Sequence, residues 1–110
     1  MAQTITEKIL ARRAGRTDVE PGEIVMCKVD LAMANDVTAP AAVTAFNKIG
    51  APRVWDRHKV ALVASHFAPA KDIASAKLMT RMRAFAIEQE IEHFFDVGRG
   101  GIEHILLPEE

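Results

Sequence analysis

Apolar residues recur along this chain in short bursts, and their spacing switches between helix and strand periods. In "TITEKILARRAG" Ile5, Ile9 and Leu10 mark one face. Thr4 and Glu7 stand at capping-box spacing and Gly15 is placed to close the turn, which predicts a short amphipathic helix. "RTDVEPGE" is a polar connection with a Pro-Gly turn. In "IVMCKVDLAM" Val25, Cys27, Val29 and Leu31 point one way while Lys28 and Asp30 point the other, the pattern of a strand with one face better covered. "ANDVTAP" interrupts with loop residues, and "APAAVTAFNKIG" resumes as a helix that Pro40 opens and Gly50 ends.

After the linker "APRVWDRHK", the run "VALVA" reads as a strand buried on both faces. "KDIASAKLMTRMRAFAIEQEI" predicts the longest helix, with a stripe of Ile73, Ala76, Leu78, Met79, Met82, Phe85 and Ala86. Its methionines read as adaptable core filler. "HFFDV" is another short strand, and "GRGG" turns into "IEHILLPEE", which starts a new element. Alternating strands and helices predict βαβ units: an α/β fold, its mainly parallel sheet of three or more strands flanked by helices. Residues 1–110 read as one domain incomplete at its C-terminus, the front portion of a longer protein. Ile105, Leu106 and Leu107 have nothing after them to pack against, so the unfinished sheet edge predicts self-association or partner binding.

Composition narrows the function classes. The 110 residues are 49% hydrophobic, enough for one small core. Fourteen Lys+Arg against fifteen Asp+Glu leave a net charge of −1, with no electrostatic footprint for nucleic acid or an anionic membrane. No apolar run approaches the ~18 residues that would cross a bilayer, and the N-terminus lacks a signal-peptide core, so a cytoplasmic location is expected. Cys27 is the single cysteine, which excludes an internal disulfide and an all-cysteine metal site from one copy. On a strand it reads as a small buried hydrophobe.

Ligands of parallel α/β sheets sit beyond the C-terminal ends of the strands. Three places meet that description: Asn35 and Asp36; Ser65 and His66; and Gly98, Arg99, Gly100 and Gly101 followed by His104. Taken singly, each has an ordinary reading. Asn35-Asp36 is a common turn or helix cap. A histidine after a strand is a common loop residue. "GRGG" lacks both the GxGxxG spacing and a P-loop lysine, though a phosphate-binding loop stays open as a third, unrelated function. His58 and His93 fall in linker and helix-end contexts, and a zinc site from His58, His66 and His104 has no HxxxH or HExxH pattern behind it.

Taken together and in order, "TITEKILARRAGR", "GEIVMCKVDLAMANDVTAP", "KVALVASHFAPAKDIASA" and "FFDVGRGGIEHILLPE" resemble the N-terminal part of the aconitase family, in its branch of 3-isopropylmalate dehydratase-type large subunits. Homoaconitase and 2,3-dimethylmalate dehydratase large subunits are close relatives of that branch. The resemblance implies a hydro-lyase acting on a hydroxy-di- or tricarboxylic acid, a 4Fe-4S cluster in the full-length protein and a small subunit as partner. It implies that His66 protonates the leaving hydroxyl, that Asn35 contacts substrate through its amide, and that His104 organises the site. Two positions depart from the family pattern. Ser65 stands where an Asp commonly precedes the histidine, and a hydroxyl cannot supply that charge. Glu103 and Ile105 stand where many members have Cys and Gln. The cluster's three cysteines belong to downstream sequence, so the isolated chain is expected to be inactive and to bind no cluster. The alternative is a non-catalytic α/β module that binds a small carboxylate or a protein partner.

Overall fold

Helix α1 (Ile5–Ala14) starts at a reciprocal cap: Glu7 N–H donates to Thr4 Oγ1 at 3.2 Å, and Thr4 N–H donates to Glu7 Oε2 at 2.7 Å. It ends at Gly15, whose φ of 70° is the left-handed conformation that closes a helix at little steric cost. The chain then returns beside the helix. Lys28 N–H donates to the Arg13 carbonyl at 3.0 Å, Cys27 Sγ lies 3.4 Å from the Leu10 carbonyl, and Arg13 pairs with Asp30 at 2.9 Å. In the computed structural model, which describes residues 2–110, this segment belongs to the first of two compact units, Met1–Asp30 and Leu31–Glu110.

The second unit carries the α/β pattern: β1 (Ala32–Asn35), α2 (Thr38–Ile49), β2 (Val60–Val63), α3 (Ile73–Glu88), β3 (His93–Phe95) and α4 (Glu103–Glu109). All pairing is parallel, in the order β1-β2-β3. The register sets Asn35 beside Val63 and Val63 beside Phe95, so the three strands end level with one another. Central β2 has Ala61, Leu62 and Val63 buried, which explains why its sequence is continuously apolar rather than alternating. Ala39 and Val43 of α2 join Met79, Met82, Phe85 and Ala86 of α3 over Leu62 and Ala64. Phe46 and Phe85 meet edge to face, with ring centres 5.4 Å apart. Burying each large side chain contributes about 1.5–3 kcal/mol, and Met79 and Met82 are core filler as expected.

The strand expected from Ile24 to Met33 is largely absent. The ladder begins only at Ala32, opposite Val60. Residues 24–30 have alternating sequence but pair with no strand among the described residues, and Ile24 and Met26 are 95% and 90% exposed. Alternation specifies a face, whereas a strand also needs a partner for its backbone groups. Cys27 is accordingly half-buried rather than enclosed.

The glycine turn after β3 has a steric role. A Cβ on Gly100 would lie 2.1 Å from the Ala64 carbonyl oxygen and 3.2 Å from that of Phe95, both rigid backbone. Gly100→Ala is therefore expected to destabilise the fold by about 1–3 kcal/mol, the usual cost of overpacking. Urea unfolding measures this, and an unchanged midpoint would show that the turn relaxes freely.

Candidate active site

Because β1 and β2 stop in register, the residues that follow them emerge along one rim. Asp36, 1% exposed, fastens the two exits together. Its Oδ1 accepts the N–H groups of Ser65 at 3.2 Å and His66 at 2.9 Å, and its Oδ2 accepts that of Phe67 at 2.6 Å. Burial alone would push the Asp36 carboxyl up, but these three amides outweigh it and hold the group below the usual carboxylate range. The His66 backbone is thus set by a charge on the neighbouring strand's exit.

Asn35 is oriented at both ends of its amide. Its Oδ1 accepts from the N–H groups of Val37 and Thr38, each at 2.9 Å, so it caps the start of α2. Its Nδ2 donates to Glu103 Oε1 at 3.2 Å. Glu103, only 4% exposed, is the hub of the rim. The same oxygen lies 3.9 Å from His66 Nδ1 and 3.8 Å from His104 Nε2. Burial raises the Glu103 carboxyl. Its own N–H, Ser65, Asn35 and the charge of His66 together bring it below its ordinary value. Ser65, His66, Gly101, Ile102, Glu103 and His104 line an open concavity of ≈ 500 Å³.

Asn35, His66 and His104, the three residues singled out from sequence, therefore meet in one place. Chemically the rim offers two solvent-reaching imidazoles, a fixed amide and an ionised carboxylate, a set suited to moving protons on a polar substrate. Sequence reasoning missed the functions of Asp36 and Glu103. The position of Asp36 at a strand exit was a usable signal. Glu103 gave none, since an acidic residue in a helix's first turn is ordinary.

Other candidates separate. His58 instead contacts Glu92. Among the described residues, no group of three His, Cys, Asp or Glu side chains is placed to hold a metal. In the "GRGG" turn the N–H groups of Arg99 and Gly100 donate to the Asp96 carbonyl at 2.9 and 2.7 Å, so two amides of a would-be phosphate cradle are engaged. The turn is anchored through Asp96, which accepts two bonds from Arg83 at 2.6 and 2.8 Å. No helix among the described residues is long and apolar enough to cross a membrane.

Comparison with known proteins finds close relatives in sequence. No protein-family model matches the chain. It is, however, 53% identical over 110 residues to the 3-isopropylmalate dehydratase large subunit of Thermodesulfovibrio yellowstonii and 54% over 110 to that of Desulfitobacterium hafniense. To the same subunit of Moorella thermoacetica it is 55% identical over 109 residues. The chain belongs to the 3-isopropylmalate dehydratase large-subunit family. These matches take in 100%, 100% and 99% of the chain, and it spans 26% of the length of each relative. The three-stranded parallel α/β sheet agrees with the architecture expected of this family.

The iron–sulfur cluster that the family resemblance implies does not fit the residues of this chain. A cubane needs several thiolates. Cys27 is the only thiol, and its Sγ is directed at the Leu10 carbonyl within the first unit. The rim's own groups are imidazole, amide and carboxylate.

Proposed function

We propose that this chain is the part of a 3-isopropylmalate dehydratase-type hydro-lyase that supplies its proton-donating histidine and one wall of its substrate site. The whole protein then dehydrates or isomerises a hydroxy-di- or tricarboxylic acid such as isopropylmalate, with a small subunit as partner. The observation that carries this reading is the convergence of Asn35, His66 and His104 on Glu103 at a single rim. In it, His66 protonates the departing hydroxyl, the Asn35 amide orients the substrate, and His104 shapes the surrounding pocket. Any cluster is held by other polypeptide, so the isolated chain does not turn over substrate.

The test is a chimera in which residues 1–110 replace the matching segment of the Moorella thermoacetica large subunit, produced with that organism's small subunit. Turnover of isopropylmalate is expected. A chimera that assembles and loads its cluster but converts no hydroxy acid would overturn the reading in favour of a non-catalytic module.

A further inference from the structure

The Asn35 amide has only one way to sit among its neighbours. Its Oδ1 accepts the N–H groups of Val37 and Thr38, and the Thr38 hydroxyl lies 3.2 Å from the same oxygen. Its Nδ2 faces Glu103 Oε1 at 3.2 Å. Half a turn of the amide would aim N–H at N–H and a carbonyl oxygen at a carboxylate, so the orientation is fixed. Distance then ranks what Glu103 does. His66 Nδ1 at 3.9 Å and His104 Nε2 at 3.8 Å lie beyond hydrogen-bond reach, and both side chains are more than half exposed. Exposed pairs of that kind contribute little. His66 Nδ1 also has Ser65 Oγ as a nearer partner, at 2.8 Å. The bond from Asn35 is within reach, part-buried and made to a charged acceptor, which is the stronger kind.

We propose that Glu103 is a positioning residue for substrate binding, acting through Asn35. Its buried carboxylate, at the start of α4, holds the amide at the end of β1 and takes one of the two Nδ2 hydrogens. The carbonyl end is spent on the start of α2, so Asn35 serves the rim as a donor only, through its second Nδ2 hydrogen. One fixed N–H suits a carboxylate or hydroxyl oxygen of a polar substrate. Holding it in place beforehand avoids the cost of ordering the side chain on binding. The contact to Asn35 is the same before and during reaction, so its effect falls on binding rather than on the chemical step. That Asn35 meets substrate rests on the function proposed above, whereas the hold of Glu103 on Asn35 does not.

In the active chimera Glu103→Leu, which keeps the bulk but removes the acceptor, is expected to raise KM about tenfold with kcat little changed, on the scale of one charge-assisted hydrogen bond. Glu103→Gln still offers Asn35 an oxygen and should bring KM most of the way back. Partial unfolding would lower kcat and leave KM alone, so this split separates positioning from a merely structural role. A fall in kcat in both variants at unchanged KM would overturn the proposal and assign Glu103 to the imidazoles. Side-chain ¹⁵N–¹H NMR of Asn35 tests the contact in the 110-residue chain without substrate. One Nδ2 hydrogen is expected downfield of its position in Glu103→Leu, with Glu103→Gln in between. A wild-type Asn35 pair at the positions of a free asparagine would overturn the proposal even if Glu103→Leu fails to fold. An inactive chimera with the expected Asn35 signals would remove the proposed function and leave the hold on Asn35 standing.

Discussion

In the active chimera, His66→Gln is expected to lower kcat by about 10²–10⁴-fold, the usual contribution of a positioned general acid, while KM changes little. The physical reason is that His66 sits on a backbone locked by Asp36, with its side chain half in solvent and open to the concavity. A hydroxyl leaving without protonation must depart as hydroxide, so loss of the donor raises the chemical barrier more than it weakens binding. Glutamine keeps a polar group of similar reach and leaves the Asp36 bonds to the backbone intact. Steady-state kinetics on both chimeras measure the effect. A fall of less than about tenfold, below the general-acid range, would assign the protonation to another group.

Asp36→Ala carries the second large effect, on stability. The substitution leaves the N–H groups of Ser65, His66 and Phe67 without their shared acceptor. Unsatisfied buried donors cost ~1–3 kcal/mol each, partly relieved where water reaches them, so a loss of about 3 kcal/mol is expected. That is a large share of the ~5–15 kcal/mol that holds a small domain together. The pH dependence follows from the direction of the Asp36 shift. Its folded-state value lies below that of the unfolded chain. The stabilisation is therefore complete above the unfolded value, near pH 3.9, and is lost as pH falls through the folded one. Urea unfolding from neutral to acidic pH should show a shallower acid loss in the variant than in the parent. Parallel curves with equal midpoints at neutral pH would remove Asp36 from this role. Asp36→Asn, which keeps an acceptor but no charge, should fall between them.

The helices were legible because their signals are local. Thr4, Glu7 and Gly15 mark the ends of α1 within a few residues of one another. Gly50 ends α2 in the same way. The apolar run at β2 was equally readable, since burial on both faces leaves no polar position to hide. The segment from Ile24 to Leu31 shows where local reading fails. Its alternation is real, yet nothing in those residues states that β2 begins only at Val60, opposite Ala32.

The amino-acid sequence by itself determined the α/β class, the parallel order of strand and helix, and the placement of Asn35, His66 and His104 after strand ends. These depend on periodicity and on the rule that parallel strands present their exits along one edge. Tertiary structure alone decided that Glu103 joins those three residues and that Asp36 fastens the His66 turn. It also decided that the Glu103 carboxylate of α4 lies 3.9 Å from His66 Nδ1. A carboxylate's effect depends on distance and burial, and for residues far apart in the chain both are set only when the strands and the glycine turn have packed.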